Sequence, residues 1–360
     1  MAGISARSPN SLIDKITVVM PGRNEAASVD EAVESLFAQT RLPDEIILAD
    51  GCSTDGTADL FMKHSGRGIP MKVVRNEAIY VGGGRNIGAR TAQHELVAHM
   101  DFGNRADERW LESMVKPFED DPTLDYLGGI YLPRIDGRFE RVCATVVFFF
   151  DTMAMTMTRE EIESAVGDQL ETSLPGGMCM AYRRDIWQRA GGFAEWAKRG
   201  QDRLFGLRVR HLEGKISTSL DPIIHFNMPS SVRGLYLHRF RYGLWEARLG
   251  LPRDRFKRLF RWYACAAVIL AAIGYVAWQA LVPAIVVLAV GYTYRVAWRN
   301  LDRIAQASGQ PFEAGSRLLA CAILFARDAG ILLGNILGTL DRFARPRWRR
   351  MVRSYIEEGK

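Results

Sequence analysis

The chain has 360 residues, of which 48% are hydrophobic, and 47 Lys and Arg residues outnumber 41 Asp and Glu residues. This length allows one large domain together with further segments. The basic residues cluster beside apolar runs, and no nucleic-acid-binding signature is present, so we expect anionic lipid headgroups rather than nucleic acid as partners. The five cysteines are scattered without a Cys-x-x-Cys pair, which predicts neither a disulfide framework nor a thiolate metal site.

The first elements predict a strand, a helix and a strand. Residues 16–25 form a β-branched apolar run with polar residues at its exit. Residues 28–39 carry an apolar stripe at helical spacing, and Ser28 with Glu31 predicts a capping box at the start of that helix. The next apolar run ends at Asp50, so we expect a βαβ unit whose two strand exits converge on one site.

Asp50 is followed by small turn-forming residues, Gly51 to Thr57. In open α/β sheets, ligands bind beyond the carboxyl ends of the strands, where a carboxylate can hold the ribose or base of a nucleotide. The alternative is an ordinary strand-to-helix turn, because Ser-Thr-Asp-Gly also favours turns.

A third strand, residues 95–100, ends at Asp101. Before it, the glycine-rich segment 82–90 predicts a loop, in which Arg85 and Arg90 are suited to an anion through their planar donor groups. The glycine spacing meets neither the dinucleotide fingerprint nor the P-loop pattern. A flexible loop without a ligand is the alternative.

Together these motifs resemble the family 2 glycosyltransferases of the GT-A fold, over about residues 15–243. Pro21 to Glu25, Asp50 with Ser53 to Thr57, Arg85-Asn86 and Asp101 match in order the motifs of the donor side. Residues 176–184 and 191–193 resemble the acceptor-side segment, and Gln201-Asp202 resembles the Glu-Asp motif. The closest similarity is to membrane-associated bacterial exopolysaccharide glycosyltransferases of the succinoglycan type. The resemblance implies an α/β fold, with a GT-A nucleotide-sugar-binding domain built on a mostly parallel central sheet, then amphipathic interfacial helices and C-terminal transmembrane helices.

The resemblance also implies a role for individual residues. It makes Asp202 the catalytic base and predicts a divalent cation, Mg²⁺ or Mn²⁺, held by Asp101 and His225. The donor-binding residues that it implies are Pro21, Arg23, Asn24, Glu25, Asp50, Arg85, Asn86 and Asp101. The residues that it implies for the acceptor or diphosphate are Gly176, Gly177, Gln201, Arg241 and Tyr242. A structural histidine is the alternative for His225, and a headgroup-binding interfacial helix is the alternative for Arg241.

Three departures from the family pattern stand out. Gly103 replaces the second Asp of the D-x-D metal motif, so one ligand is missing unless Asn104 or a water substitutes. Gln201 replaces the usual Glu before Asp202, and His238 and Tyr242 replace the Gln and Trp of Q-x-x-R-W.

The chemistry of sugar transfer explains these residue types. Negative charge develops on the departing diphosphate, and a hard cation held by carboxylate oxygen, together with Arg, can neutralise it. The attacking hydroxyl loses its proton, which a carboxylate within hydrogen-bond reach can accept. Direct displacement would invert the anomeric centre, as the family implies.

The C-terminal third predicts membrane association. An almost uncharged run, 263–294, is too long for one straight span, so we expect a hairpin turning at residues 279–283; one long kinked span is the alternative. Residues 1–10 lack an apolar core, so no N-terminal signal is expected. The basic tail and the positive-inside rule predict an inner-membrane protein whose catalytic domain faces the cytosol.

The predicted segments are a tail at 1–14, the GT-A domain at 15–230, basic amphipathic interface helices at 231–261, a transmembrane hairpin at 262–298, a third membrane segment (spanning, re-entrant or interfacial) at 316–340, and a basic cytosolic tail at 341–360.

The sequence therefore predicts a membrane-anchored, inverting glycosyltransferase of cell-surface polysaccharide synthesis. Its partners would be a nucleotide-sugar donor, UDP-linked in the first instance, a lipid-linked glycan acceptor and, in cells, a polysaccharide-synthesis complex. The second hypothesis is a catalytically silent GT-A subunit that scaffolds such a complex, which Gly103 and Gln201 motivate.

Overall fold

The computed structural model describes residues 15–148, 152–153, 155–166, 174–251 and 253–359. The predicted tail at 1–14, including the stretch without an apolar core, lies outside the described residues. Two compact units are present. The sheet unit comprises the described residues of Met1–Leu132, Ala165–Asn227 and Arg350–Lys360. The helical unit comprises those of Pro133–Ser164 and Met228–Arg349. The segment bounds drawn from the sequence stay predictions.

One sheet of eight strands, in the order β3-β2-β1-β4-β7-β6-β8-β5, organises the described part of the sheet unit. The strands are β1 Ile16–Gly22, β2 Glu45–Asp50, β3 Met71–Arg75, β4 Leu96–His99, β5 Asn104–Ala106, β6 Leu124–Pro133, β7 Met180–Arg183 and β8 Lys215–Phe226. Strands β1 to β4 pair in parallel, whereas β7 pairs antiparallel with β4 and β6, and β5 with β8. Because β1, β2 and β4 run in one direction, their carboxyl ends meet at one edge.

Alternation along the strands explains why the sheet is buried on both faces. Val18 and Met20 of β1 belong to one apolar cluster, and Val19 belongs to the other, because successive side chains of a strand point to opposite faces. Trp110 contributes to the first cluster and Tyr182 to the second. The helices of this unit are α1 Val29–Phe37, α2 Thr57–Met62, α3 Val81–Thr91, α4 Trp110–Asp120, α7 Arg184–Ala190 and α8 Gln201–His211.

The glycine-rich segment is a helix, so the prediction of a loop at residues 82–90 was wrong. Helix α3 spans Val81–Thr91 and packs on the sheet where larger residues would not fit. A Cβ at Gly84 would lie 2.9 Å from that of Pro21, and one at Gly88 would lie 2.2 Å from Val19 Cγ1. The glycines therefore allow close helix–strand packing rather than a mobile phosphate loop.

The predicted capping box is also absent from the start of α1. Ser28 precedes the helix but makes no side-chain cap. Its hydroxyl instead hydrogen-bonds to Glu25, donating to the backbone oxygen at 3.1 Å and to the carboxylate at 3.2 Å. The competing partner lies in the loop after β1, and a local sequence pattern does not record that contact.

The helical unit is dominated by long apolar helices. Its helices are α5 Arg138–Val147, α9 Val232–Leu249, α10 Asp254–Val276, α11 Leu281–Thr293, α12 Arg299–Ser308 and α13 Ser316–Ala344, and α6 Arg159–Val166 ends at the boundary between units. A 3₁₀ turn, Trp278–Ala280, precedes α11, and a π-helical turn, Tyr294–Trp298, follows it. The last helix, α14 Arg347–Glu358, has its residues from Arg350 onward in the sheet unit.

Three stretches of the described chain are long and apolar enough to cross a membrane: Asp254–Val276, Trp278–Ser308 and Ser316–Ala344. Many of their apolar side chains are exposed, including Val268 at 70% and Val287 at 69%. Contiguous apolar surface of this kind is rare on a protein that is surrounded by water. These helices could therefore anchor the protein in a membrane.

Candidate active site in the sheet unit

The exits of β1 and β2 are joined by backbone hydrogen bonds. Gly51 N donates to Gly22 O at 2.8 Å, directly beyond the paired ends of the two strands. The Asp50 carboxylate accepts from Ser53 N at 3.1 Å, which folds the following residues back over the strand end. Asp50, predicted to bind the donor, thus lies at the expected sheet edge.

The loop after β1 is held by side chains of the loop after β2. Asn24 N donates to Ser53 Oγ at 2.9 Å, and the Asn24 side-chain oxygen accepts from Thr54 N at 2.9 Å. Glu25 N donates to Thr57 Oγ1 at 2.8 Å. The predicted donor residues of this loop are therefore fixed in place, with Arg23 exposed beside them and Pro21 buried beneath.

A buried arginine links two other parts of the predicted site. Arg85 of α3 is 2% exposed, and its Nη2 lies 3.1 Å from Asp101 Oδ1, just beyond β4. The same nitrogen donates to the backbone oxygen of Gly177 at 2.8 Å. Nε and Nη1 of Arg85 are buried and have no hydrogen-bond partner in the described part of the chain. Arg85 thus retains donors for an anionic ligand.

Gly177 connects Arg85 to the predicted catalytic base. Its N–H donates to Asp202 Oδ2 at 2.8 Å, while its carbonyl accepts from Arg85. A Cβ at Gly177 would lie 2.3 Å from Arg85 Nη2, so a larger residue there would displace this guanidinium. Asp202 lies in the first turn of α8, where the helix dipole favours a carboxylate. The structure therefore brings together Arg85, Asp101, Gly177 and Asp202, from four separate segments.

The charges of this cluster act on one another. Burial alone would lower the pKa of Arg85, but the carboxylates of Asp101 and Asp202 outweigh it and raise that pKa. Burial raises the pKa of Asp101, and Asp202 adds to the rise while Arg85 opposes it. Burial also raises the pKa of Glu25, with smaller contributions from Asp101 and Asp55. Two carboxylates, Asp101 and Asp202, thus act on one arginine, an arrangement typical of functional sites.

Two of the predicted binding residues have roles within the fold. The Asn86 side-chain oxygen accepts from Phe193 N at 2.7 Å and from the Trp187 indole at 3.1 Å. Its nitrogen donates to Phe193 O at 2.9 Å and to Glu195 at 2.8 Å. Gln201 is buried beside Asp202, and its side-chain oxygen has no hydrogen-bond partner among the described residues.

Gly176, the neighbour of Gly177, is also restricted by packing. A Cβ there would lie 1.7 Å from the Tyr131 hydroxyl. The ligand contacts expected of Asn86, Gln201 and Gly176 stay predictions.

The two predicted metal ligands, Asp101 and His225, have different surroundings. Asp101 retains 28% exposure at the sheet edge. His225 lies on β8 opposite Arg105 of β5, with its Nε2 3.8 Å from Asp107 Oδ2. Gly103 adopts φ +78°, and a Cβ there would face open space, whereas Asn104 is buried. No group of three or more His, Cys, Asp and Glu side chains in the described ranges is arranged to hold a metal.

The C-terminal residues brace the sheet unit, which the sequence did not predict. The Tyr355 hydroxyl donates to Gly192 O at 2.5 Å, next to the segment that Asn86 holds. Arg208 Nη1, on α8, donates to Ile356 O at 2.9 Å. The apolar spacing of Val352 and Tyr355 is the signal that could have indicated a docked helix rather than a headgroup-binding tail.

Arg241 and Tyr242 lie on α9 of the helical unit. Both side chains are exposed, and the rings of His238 and Tyr242 are 4.7 Å apart. Their predicted role in binding the acceptor or diphosphate stays a prediction.

Comparison with known proteins shows what this chain is similar to. Residues 17–190 match the sequence model of glycosyl transferase family 2. The chain is 24% identical to an uncharacterized glycosyltransferase of Haemophilus influenzae, over 54% of this chain and 61% of that protein. It is 22% identical to the O-antigen chain rhamnosyltransferase of Salmonella typhimurium, over 65% of this chain and 73% of that protein. The first of these alignments thus spans less than two thirds of the relative.

A solved structure shows the same fold. The mannosyltransferase of Pyrobaculum calidifontis, determined in complex with GDP-Man and Mn²⁺, aligns with a TM-score of 0.53 at 17% identity, over 91% of this chain and 87% of that one. The predicted α/β fold of the GT-A type, followed by C-terminal helices, is confirmed, but the sheet is mixed rather than mostly parallel, because the pairings β4–β7, β6–β7 and β5–β8 are antiparallel. The specific similarity to succinoglycan-type enzymes is not confirmed.

Proposed function

The chain carries a glycosyl transferase family 2 domain, and on that premise we propose that it is a membrane-anchored, inverting glycosyltransferase. It takes a nucleotide-sugar, UDP-linked in our proposal, and passes the sugar to a polyprenyl-diphosphate-linked or other membrane-bound glycan. The observation that carries the proposal is the cluster of Asp202, Gly177, Arg85 and Asp101 at the carboxyl edge of the sheet.

Asp202 would accept the proton of the attacking hydroxyl. One of its oxygens is fixed by the Gly177 N–H, which orients the carboxylate and leaves the other oxygen for the acceptor. A base positioned in this way typically contributes on the order of 10²- to 10⁴-fold to a rate. Attack on the side opposite the leaving diphosphate would invert the anomeric centre.

Arg85 would neutralise the departing diphosphate through the donors that the fold leaves unpartnered. The residues at the edge also fit a divalent cation, because Mg²⁺ commonly takes one or two carboxylates and fills its remaining positions with phosphate oxygens and water. Asp101 would supply the carboxylate, and His225 stays a proposed ligand. When bound, such a cation supplies electrostatic stabilisation of the diphosphate.

The membrane setting is proposed from the helical unit. Its apolar helices would lie in the inner membrane with the sheet unit in the cytosol, where nucleotide-sugars are made. An O-antigen rhamnosyltransferase among the relatives supports a role in cell-surface polysaccharide synthesis, within or beside a synthesis complex.

A silent scaffolding subunit is the second candidate. Gly103 in place of an Asp and the engagement of Asp101 by Arg85 favour it, because both reduce the carboxylate oxygen available to a metal. It would bind nucleotide without transferring sugar.

The test uses the full chain in detergent with Mn²⁺, a panel of nucleotide-sugars and a polyprenyl-lipid extract from a polysaccharide-producing bacterium. We expect nucleoside diphosphate release with one donor, and a loss of roughly 10²- to 10⁴-fold in Asp202→Asn, without loss of nucleotide binding. Asp59→Asn is the matched control, because Asp59 is exposed in the first turn of another helix of the same unit. Nucleotide binding without release from any donor would favour the silent subunit.

A further inference from the structure

Arg239 of α9 has two nitrogen atoms that lack a hydrogen-bond partner in the described part of the chain. Its Cβ packs on Gly330 of α13, and its guanidinium lies over the Phe148 ring, 4.8 Å from the centroid. Its Nε and Nη2 atoms are buried, and neither has a hydrogen-bond partner among the described residues. Phe148 covers one face of the guanidinium, and the edge donors are left unused.

The nearest charges repel this guanidinium. Burial, followed by the positive charges of Arg255 and Arg327, lowers the pKa of Arg239 to about 10, while Cys143 and Tyr242 oppose the change more weakly. Arg239 therefore stays protonated near neutral pH, although it is surrounded by charge of its own sign.

The carboxylate nearest to Arg327 is already used. Asp328 Oδ1 lies 2.7 Å from Arg327 Nη2, and Asp328 Oδ2 accepts from the hydroxyls of Tyr263 and Tyr292. Arg327 also donates to Val146 O at 3.0 Å. Asp328 is therefore engaged by Arg327 and the two tyrosines rather than by Arg239.

A buried cation without a partner costs free energy unless a ligand supplies the missing charge. The planar donors of a guanidinium bind the charged oxygens of a phosphate more strongly than they bind the oxygens of a neutral group. Arg255 lies in the first turn of α10, which begins the first stretch able to cross a membrane, so the cluster stands at one end of an apolar helix. An anion that carries an apolar chain would bind the donors of Arg239 through its charge and the apolar helix α10 through its chain.

We propose that Arg239, together with Arg255, binds the phosphate or diphosphate group of a membrane lipid, with its chain along the apolar surface of α10. Identifying this lipid as the glycan carrier rests on the proposed function. The anion site itself depends only on contacts within the helical unit.

The test measures binding rather than turnover. Full-length protein in detergent is titrated with a long-chain polyprenyl diphosphate, inorganic diphosphate and phosphatidylglycerol, and complexes are quantified by native mass spectrometry. We expect Arg239→Gln to weaken polyprenyl diphosphate binding about tenfold or more, as for loss of hydrogen bonds to a charged group. Arg233→Gln, an exposed position on the same helix, is the control and should bind as the wild type does. Arg239→Lys should retain part of the affinity.

Thermal unfolding separates a binding role from a structural one. Polyprenyl diphosphate should raise the Tm of the wild type but not that of Arg239→Gln, whose own Tm without lipid should not fall. Equal binding by wild type and Arg239→Gln would overturn the site. Equal affinity for inorganic diphosphate or phosphatidylglycerol would overturn the assignment to a polyprenyl carrier. If Arg239→Gln binds polyprenyl diphosphate more weakly than the wild type but no sugar transfer is detected, the result would count against the proposed function and not against the anion site.

Discussion

The sheet unit and the helical unit each contain an arginine with buried nitrogen atoms, and the surroundings of the two arginines differ in charge. Arg85 lies against Asp101 with Asp202 nearby, and these carboxylates raise its pKa. Arg239 lies among Arg255 and Arg327, and its pKa falls to about 10. Arg85 is thus stabilised by a neighbouring carboxylate, whereas Nε and Nη2 of Arg239 have no hydrogen-bond partner among the described residues.

The comparison distinguishes two uses of buried charge. In the sheet unit the carboxylates orient Arg85, so the site is organised before any ligand arrives. In the helical unit the missing negative charge is what we propose the ligand supplies. Removing each arginine should therefore change stability in different ways.

The largest expected effect is at Arg85. Arg85→Met removes the buried partner of Asp101, which is 28% exposed, and the loss of unfolding free energy should approach the value of about 3–5 kcal/mol that is typical of breaking a buried pair. Thermal and denaturant unfolding in detergent would measure it. Arg75→Met is the control, because that side chain is 75% exposed at the end of β3. Equal losses in the two variants would show that the Arg85 pair does not stabilise the sheet unit.

Gly177→Ala should come next. The added methyl carbon would meet Arg85 Nη1 at 2.5 Å and Nη2 at 2.3 Å, and overpacking of this kind costs about 1–3 kcal/mol. We also expect donor turnover to fall, because relief of this overlap would shift the backbone N–H of residue 177 that orients Asp202. Gly291→Ala meets nothing within 4 Å and serves as the control. Normal nucleoside diphosphate release by Gly177→Ala would contradict the geometry proposed for the base.

Arg239→Met should leave stability unchanged within about 1 kcal/mol or raise it, since it removes a buried charge that lacks a partner. The measurement is the Tm in detergent free of added lipid phosphate, compared directly with Arg85→Met. A fall as large as that of Arg85→Met would mean that Arg239 has a structural role and that the contrast between the units is not real.

The smallest effect concerns the pH dependence contributed by Glu25. Burial raises its pKa above the ordinary 4.5, so the folded protein holds the proton to higher pH than the unfolded chain does. Its contribution to stability is therefore present at low pH and is lost as pH rises through the raised pKa. Between pH 4.5 and neutrality, wild type should lose Tm relative to Glu25→Gln. Parallel pH profiles for the two proteins would contradict this.

Local patterns in the sequence were enough for the strand exits and for the similarity to glycosyl transferase family 2. The apolar runs before Asp50 and Asp101 predicted strands, and parallel pairing brings their ends to one edge because such strands share a direction. Length and apolarity likewise indicated the helices that are long and apolar enough to cross a membrane. These features depend on neighbours in the chain, which the sequence records directly.

The tertiary structure alone decided which charges meet. Arg85 and Gly177 are 92 residues apart, and their contact depends on α3 packing against β1 through its glycines. On α9, Arg241 is exposed while two nitrogens of Arg239 are buried. A step of two residues is more than half a helical turn, so the two side chains lie on opposite sides of the helix. Only Arg241 matched a sequence motif, the Q-x-x-R-W pattern, and nothing in the sequence distinguished Arg239. Packing of α5, α9 and α13 decided that Arg239 faces inward, since burial and pairing are set by contacts between segments that are distant in the chain.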